Sequence, residues 1–300
     1  MAPGYLLGIG FLAAAWGSSY LFIELALDDL APAALMGYRF ALAALVLGAL
    51  LVLRAGPRRA VAELRALGAA APVLGVLNGA LPFGLIAWGQ TRIDSGTAAI
   101  VNASVPLFVL LLAWRFRPSE RVGGARLAGV LVGLLGVAVL VGVAPEGGWH
   151  AVPGTLAVLA SSLCFAASNL VVQQRLATAT PLAAAVATVG IAALLLAPFA
   201  VVQAPPELPR AAALGAIAGL ALLGTGAAQL VLYRLLPRYG SARTSLVTYL
   251  VPPVALAYGA AILSEPVTLT AVLGLVLILA GVALGSGLAR VSRRPTAVAP

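Results

Sequence analysis

Amide and hydroxyl side chains recur at helical spacing inside stretches of this chain that are otherwise apolar. Ser95 and Asn102, seven residues apart, and Pro106, four residues further on, share one face of an α-helix, with Ala99 between them. Uncharged groups of this kind can hydrogen-bond the polar end of a small solute, but they do not supply the acid, base or nucleophile that an enzyme needs. The chemistry that we expect is therefore reversible binding.

Eight side chains are the predicted substrate contacts. They are amides, one hydroxyl and aromatic rings within or at the ends of apolar stretches, where a polar group usually faces the interior of a helix bundle or a water-filled cavity. They are Trp16, Ser19, Asn78, Trp88, Asn102, Asn169, Gln229 and Tyr249. Of the aromatic residues, Trp16 and Tyr249 lie deepest in their stretches and are the best candidates for a wall against an apolar substrate.

The same residue types have a second explanation, which the sequence leaves open. Single Ser, Thr and Asn side chains also join membrane helices through hydrogen bonds of about 1 kcal/mol. Aromatic residues near the ends of apolar stretches, such as Trp88, also anchor helices at the membrane surface.

The sequence contains few of the residues that metal sites, disulfides and enzymes need. The chain contains one cysteine, Cys164, and one histidine, His150, which excludes an internal disulfide and the His and Cys clusters that hold zinc or copper. No paired carboxylates lie within an apolar stretch. We therefore predict no cofactor, no metal site and no enzymatic activity, with an intramembrane enzyme as the alternative from another class.

The elements that carry these residues are predicted to be membrane-spanning helices. Charged residues make up 9% of the chain and hydrophobic residues 62%, far from the balance of a soluble protein. Windows of about 20 apolar residues, the length that crosses a bilayer as a helix, occur ten times. They are Tyr5–Ile23, Ala33–Leu53, Leu67–Gln90, Gly96–Trp114, Leu127–Val143, Pro153–Gln174, Pro181–Val202, Ala211–Tyr233, Thr244–Leu263 and Val267–Ala289.

Charge in the connecting loops predicts the orientation of the chain. One set of alternate loops, together with the C-terminus, holds 15 of the 18 arginines and two glutamates, whereas the opposite set holds two arginines and six acidic residues. Because basic loops stay in the cytoplasm, both termini are expected there, in a multi-pass protein of the inner cell membrane. The first apolar stretch lacks the features of a signal peptide and is expected to remain. The arginines have this membrane explanation, so no nucleic-acid partner is expected.

The chain repeats itself. Residues 119–138 and 264–283 share eight identities at an offset of 145, including Glu120 with Glu265 and the glycine pair Gly129 and Gly136 with Gly274 and Gly281. We place the first repeat at residues 1–145 and the second at residues 146–300. Each holds five predicted helices, so the second inserts upside down. The predicted fold is therefore all-α and integral to the membrane, with ten transmembrane helices in two inverted repeats around a central cavity, an architecture that permits alternating access.

Prolines within the windows are candidate hinges, since proline removes a backbone hydrogen bond and clashes with the preceding turn. Pro82, Pro106 and Pro252 are either gating hinges or fixed bends. Glu24 and Arg39 lie near the outer ends of the first and second predicted helices and are predicted to pair. No carboxylate lies at mid-span, which argues for facilitated diffusion or exchange.

The sequence resembles the drug/metabolite transporter superfamily, and within it the EamA type with ten helices in two repeats. The matching features are the stretch Trp16 to Ser19, Arg39-Phe40 after Pro32, the stretch Ser95 to Ala99 followed by Pro106, and Glu120, with echoes of the last two around Pro252 and Glu265. The resemblance implies a central cavity bounded by helices one, three, four, six, eight and nine, and substrates that are amino acids, other metabolites or lipophilic drugs.

Some members of this superfamily with a similar size export aromatic amino acids. The resemblance therefore suggests that Trp16, Trp88 and Tyr249, with neutral amides, suit an amino acid that has an apolar side chain. We expect export of neutral, aromatic or hydrophobic amino acids by alternating access, by a monomer whose partners are its small-molecule substrate and the lipid bilayer. Efflux of lipophilic cations or drugs is the alternative, although the absence of acids at mid-span counts against it.

Overall fold

The fold is a bundle of helices, seen in a computed structural model that describes residues 3–116, 124–141, 148–175, 180–240, 244 and 246–286. Ten membrane-spanning units, called spans 1 to 10 here, follow each other along the chain. In the first repeat they are span 1 (Pro3–Leu27), span 2 (Pro32–Ala55), span 3 (Ala70–Gly75, Val76–Ala80 and Leu81–Gln90), span 4 (Ser95–Asn102 and Val105–Phe116) and span 5 (Gly124–Val141).

The second repeat follows the same order. Its units are span 6 (Ala151–Arg175), span 7 (Pro181–Val202), span 8 (Ala211–Ala221, Leu222–Ala227 and Ala228–Tyr239), span 9 (Val247–Ile262) and span 10 (Leu269–Ser286). Seven of the ten are long and apolar enough to cross a membrane, and spans 5, 9 and 10 contain shorter apolar helices. The prediction of an all-helical multi-pass membrane protein is confirmed.

Three spans differ from the continuous α-helices that the windows predicted. Spans 3 and 8 each contain a π-helical turn, Val76–Ala80 and Leu222–Ala227. Span 4 is interrupted at Ala103 and Ser104. The shared face of Asn102 and Pro106 stays a prediction, but the continuous helix that was expected to carry them is interrupted. The physical reason is that a proline ring clashes with the carbonyl group four residues earlier, which here belongs to Asn102.

A short helix, Pro57–Ala66, connects spans 2 and 3 and was not predicted from the sequence. It begins at a proline, which suits the first helical position, after Gly56 with φ 75°. Glu63 forms an ion pair with Arg59 at 3.3 Å and accepts a hydrogen bond from the Thr180 hydroxyl at 2.6 Å. The helix is therefore attached to the beginning of span 7.

The ends of alternate spans meet on two opposite sides of the bundle. Tyr5 and Tyr239 stack edge to face on the side that carries most of the arginines, called the arginine-rich side here. Asp28 and Asp29 bind Arg210 on the opposite side, called the acidic side. The backbone N–H of Arg210 also donates to Asp29, which lowers the pKa of that carboxyl, and hydrogen bonds to both aspartates raise the pKa of the Arg210 guanidinium.

The packing follows the two-fold relation between the repeats. Span 1 packs against spans 8 and 9 of the other repeat, and its equivalent, span 6, packs against spans 3 and 4. Two further contacts each join equivalent helices of the two repeats: span 2 packs against span 7, and span 5 packs against span 10. The halves are thus interlocked, because the first helix of each repeat lies within the other half.

Spans 5 and 10 cross with their backbones in contact, and the repeated glycines lie at this crossing. A Cβ atom on Gly281 would lie 2.5 Å from the carbonyl oxygen of Gly129, and one on Gly136 would lie 2.9 Å from that of Gly274. Small residues allow this close approach between membrane helices. The glycine spacing that identified the repeat therefore serves the contact between its two copies.

Candidate functional site

A polar cluster inside the bundle is centred on Asn102, at the last turn of the first helix of span 4. The Asn102 amide nitrogen donates to the Tyr20 hydroxyl at 2.9 Å. Its amide oxygen accepts from the hydroxyls of Ser162 at 3.1 Å and Ser161 at 3.4 Å. Three spans from both repeats meet here, because Tyr20 lies on span 1 and the serines lie on span 6.

The cluster extends along span 1 toward the acidic side. The Gln90 side-chain nitrogen, 3% exposed as a residue, donates to the Tyr20 carbonyl oxygen at 2.9 Å and to Glu24 Oε2 at 3.1 Å. Gln90 is the last residue of the helix Leu81–Gln90, so this amide ties the end of span 3 to span 1.

A buried guanidinium lies on span 2. Arg39 is 2% exposed, and its Nε and Nη2 atoms donate to the Thr225 hydroxyl oxygen at 3.3 and 3.2 Å. Thr225 belongs to the π-helical turn of span 8. The predicted pairing of Arg39 with Glu24 is wrong, because Arg39 donates to Thr225 and Glu24 accepts from Gln90 of span 3.

A row of aromatic rings adjoins the guanidinium. The Arg39 guanidinium carbon lies 4.3 Å from the centre of the Phe83 ring. Phe83 packs edge to face against Phe40, with centroids 5.5 Å apart, and against Phe165, with centroids 5.4 Å apart. Because Phe165 follows Ser161 and Ser162 by about one helical turn, this row runs beside the cluster around Asn102.

The two π-helical turns occupy equivalent positions in the repeats. The first begins at Val76 and the second at Leu222, 146 residues later, which is within one residue of the offset of 145 between the repeated stretches. Such turns inside α-helices are frequent at functional sites, since they leave backbone groups without their usual partners. Here the Thr225 hydroxyl donates to the Leu220 carbonyl oxygen at 3.0 Å.

The structure does not bring all eight predicted contact residues together. Asn102 is at the centre of the cluster. Ser19 is buried next to Tyr20, and its hydroxyl donates a hydrogen bond to the Ala15 carbonyl oxygen. Trp16 packs in a hydrophobic cluster formed by spans 1, 8 and 9, whereas Tyr249 packs against spans 4, 5 and 10. These two aromatic residues therefore do not share one wall.

The other predicted contacts are dispersed. Asn78 is half-buried in the first π-helical turn, and Asn169 is exposed on span 6. The Gln229 amide oxygen, one turn beyond Thr225, is buried without a hydrogen-bond partner among the described residues. Trp88 lines a peripheral groove of about 460 Å³ between the acidic-side ends of spans 2, 3 and 7, and the Arg92 guanidinium covers its ring at 3.7 Å.

The three predicted hinge prolines lie at different kinds of position. Pro82 is the second residue of the helix Leu81–Gln90, directly after a π-helical turn. Pro106 is the second residue of the helix Val105–Phe116, after the interruption of span 4. Pro252 lies inside span 9, next to Pro253. Each therefore adjoins or occupies a place where regular helical hydrogen bonding is interrupted.

The repeated glutamate of the second half caps a helix of the first half. Glu265 accepts hydrogen bonds from the backbone N–H groups of Ser95, at 2.9 Å to Oε1, and of Gly96, at 3.1 Å to Oε2. These groups belong to the first turn of span 4, where Asp94 makes no side-chain cap. Glu265 also lines a polar cavity of about 380 Å³ on the acidic side, with Glu24, Asp28 and Asp94.

Replacement of Glu265 by glutamine should lower the stability of the protein. Glutamine retains one acceptor oxygen, loses the charge that interacts favourably with a helix N-terminus, and places an N–H₂ group against a backbone N–H. We expect Glu265→Gln to reduce the free energy of unfolding by about 1–2 kcal/mol, measured by thermal unfolding in detergent at neutral pH. Glu207→Gln, at an exposed loop residue on the same side, is the matched control. Equal unfolding temperatures for the two variants would contradict this role.

The site offers hydrogen-bonding groups, one buried cation and aromatic rings. Among the described residues, no group of three or more His, Cys, Asp or Glu side chains could hold a metal ion. Sequence reasoning missed Tyr20, Ser161 and Thr225. Two signals could have indicated two of them: Tyr20 adjoins the predicted contact Ser19, and Thr225 stands between two glycines inside an apolar stretch.

An inverted five-plus-five helix bundle with polar groups at mid-span is an architecture that many membrane transporters share. The chain belongs to the EamA-like transporter family, whose sequence model matches residues 2–142 and again residues 152–287. The resemblance to the EamA type that the residues indicated is thereby confirmed. The finer similarity to exporters of aromatic amino acids stays a prediction.

Relatives agree with this assignment. The chain is 26% identical to an uncharacterized transporter of Archaeoglobus fulgidus over 272 residues, 89% of this chain and 93% of the relative. It is 33% identical to the uncharacterized inner membrane transporter YedA of Escherichia coli K12 over 126 residues, 42% of this chain and 39% of YedA. A crystal structure of a protein 21% identical in sequence superimposes with a TM-score of 0.64, covering 96% of this chain and 99% of that one, which supports the fold.

Proposed function

We propose that this protein exports neutral amino acids with aromatic or hydrophobic side chains by alternating access. One observation carries the proposal: the uncharged cluster around Asn102 joins spans 1, 4 and 6 inside the bundle and lies beside a row of three phenylalanine rings. Hydroxyl and amide groups suit the polar end of an amino acid, and the rings suit an apolar side chain. The predicted contacts Trp16, Ser19, Asn78, Trp88, Asn169, Gln229 and Tyr249 remain part of the proposed lining, in conformations that bring them to the substrate.

Alternating access would proceed by exchange of conformations between the two halves. The interlocked packing supports this mechanism, because spans 1 and 6 reach into the opposite half. The proposed hinges are Pro82, Pro106 and Pro252, each of which adjoins or occupies a point where helical hydrogen bonding is interrupted. The π-helical turns in spans 3 and 8 supply further backbone that can change conformation without breaking a regular helix.

The arginine-rich side is proposed to face the cytoplasm, with both termini there and the protein acting as a monomer in the inner cell membrane. The asymmetry of loop charge supports this orientation. Outward transport would then carry the substrate toward the acidic side. No catalytic activity is proposed.

Efflux of lipophilic cations is the second candidate, and one observation favours it. The cavity on the acidic side is lined by four acidic residues, Glu24, Asp28, Asp94 and Glu265. Such a surface attracts cations. Against this reading, the charge buried between spans 2 and 8 is the positive one of Arg39, which repels a cationic substrate.

Counterflow in proteoliposomes tests the proposal. Vesicles are loaded with an unlabelled amino acid, and uptake of labelled leucine, phenylalanine and tryptophan is followed at equal pH and without an ion gradient. We expect saturable uptake of phenylalanine and tryptophan that unlabelled phenylalanine inhibits. Uptake of a labelled lipophilic cation, with no uptake of any amino acid by folded protein, would instead support the second candidate.

A further inference from the structure

Arg39 is a buried cation without an acidic partner in the part of the chain that the structure describes. It lies on span 2 and its guanidinium contacts Thr225 of span 8, and the ion pairs between described residues involve Arg59 and Arg210 instead. A positive charge inside a membrane protein is costly unless an anion or several hydrogen bonds compensate it. Its presence therefore indicates a function that needs the charge.

The hydrogen bonds of the guanidinium leave much of its capacity unused. A guanidinium has five N–H donors in a planar fork. Nε and Nη2 share a single oxygen, that of Thr225, and Nη1 faces the Met36 sulfur at 4.0 Å. A thioether sulfur is a weak acceptor. The fork therefore lacks the pair of oxygens that it binds best, which are those of a carboxylate.

Gly224 of span 8 lies next to both the Arg39 guanidinium and the Ser19 hydroxyl. A Cβ atom on Gly224 would lie 3.8 Å from Arg39 Nη2 and 2.5 Å from the Ser19 hydroxyl oxygen. The guanidinium and this hydroxyl thus both border the backbone of the π-helical turn. The contact of 2.5 Å shows that they are closely packed in this conformation, so a ligand group can enter only after spans 1 and 8 move apart. Thr225, the next residue, holds the guanidinium in place.

An aromatic ring packs against the guanidinium. The Phe83 ring lies 4.3 Å from the guanidinium carbon, and Phe83 directly follows Pro82, one of the proposed hinges. Movement at this hinge would uncover the guanidinium. The same ring begins the aromatic row with Phe165, so a ligand whose carboxylate reached Arg39 would have an apolar surface next to it.

We propose that Arg39 binds the carboxylate of the transported substrate, with Ser19 as an additional hydrogen-bonding group and Phe83 as the ring that opens the site. This inference rests on the proposed function and names the part of the substrate that is recognised. The substrate class is small monocarboxylates with an apolar side chain, of which neutral amino acids are one kind.

Three probes of similar size separate the two charges of an amino acid. L-phenylalanine has both charges, 3-phenylpropanoate has the carboxylate alone, and 2-phenylethylamine has the ammonium alone. The measurement is the rise in unfolding temperature of the purified protein with increasing probe concentration, because a ligand stabilises the state that it binds. We expect the two carboxylates to stabilise the wild-type protein and the amine to leave it unchanged.

Arg39→Gln should weaken the apparent affinity for both carboxylates at least tenfold, which corresponds to the loss of about 1.4 kcal/mol. Arg39→Lys, which retains the charge without the fork, should fall between this variant and the wild type. Arg54→Gln, the same substitution at an exposed residue near the end of span 2, is the control and should bind like the wild type.

Three outcomes would overturn the inference, whether or not the protein transports amino acids. They are equal stabilisation of the wild type by 3-phenylpropanoate and 2-phenylethylamine, no stabilisation by any probe, and unchanged carboxylate binding in a folded Arg39→Gln or Arg39→Lys protein. Stabilisation by 3-phenylpropanoate that depends on Arg39, together with no amino-acid counterflow, would support the carboxylate site and contradict the amino-acid substrate.

Discussion

Substitution of Gly281 by alanine is expected to destabilise the protein, although alanine favours a helix by about 1 kcal/mol relative to glycine. The added methyl group would lie 2.5 Å from the Gly129 carbonyl oxygen and 2.6 Å from the Gly133 Cα atom. Backbone atoms cannot move aside as the end of a flexible side chain can, so spans 5 and 10 would have to separate. We expect a net loss of about 2–3 kcal/mol in the free energy of unfolding, measured by thermal unfolding in detergent.

Gly190→Ala is the matched control for this prediction. Gly190 also lies inside a membrane-spanning helix, but a Cβ atom there would meet no atom within 4 Å. The gain in helix propensity is then the main effect, and the unfolding temperature should stay constant or rise. The two substitutions should therefore have effects of opposite sign. A stabilising effect of both would show that the backbones of spans 5 and 10 are further apart than described.

Asn102→Ala is expected to abolish counterflow and leave a folded, monodisperse protein. The hydrogen bonds of this amide to Tyr20, Ser161 and Ser162 contribute about 1 kcal/mol each in a membrane protein, which is less than the stability of most domains. In the proposed mechanism the amide also binds the charged end of the substrate. Loss of one hydrogen bond to a charged group costs about 1.5–3 kcal/mol, or about 10- to 150-fold in affinity.

The control for Asn102 lies on span 6. The buried Thr155 hydroxyl donates to the Ala151 carbonyl oxygen of its own helix at 3.2 Å, so Thr155→Ala removes a buried polar group without touching the cluster. Counterflow by this variant should match that of the wild type. Normal transport by Asn102→Ala, in contrast, would remove Asn102 from the substrate site and leave it a role in helix packing.

Much of the fold could be predicted from the sequence, because the lengths of apolar stretches and the repeat are local or periodic signals. The structure gives the repeated residues their physical roles. The glycines meet at the crossing of spans 5 and 10, and Glu265 caps a helix that begins 170 positions earlier. Sequence comparison of the two halves could indicate that these residues matter, but it could not indicate their partners, since the contacts join opposite halves.

The candidate site was predicted less completely. Asn102 was identified from its helical spacing, whereas Arg39 was assigned to Glu24, a residue near the same ends of neighbouring helices. Its actual partner, Thr225, lies 186 positions away in a π-helical turn. Hydrophobic periodicity assumes regular helices and therefore does not reveal such turns. Trp16 and Tyr249 both looked suitable for one aromatic wall, but their depth in the sequence windows could not show that they pack in different clusters.

The pairing of equivalent helices provides a built-in distance standard for following the transport cycle. If the two halves exchange conformations as proposed, each residue takes the place that its equivalent in the other repeat held before. The distance between the equivalent residues Gly129 and Gly274 is therefore the same in both conformations. A distance between spans 1 and 9 instead takes the value that spans 6 and 4 had before. Spectroscopic labels on equivalent positions of spans 5 and 10 should therefore give a constant signal, against which motion elsewhere can be calibrated.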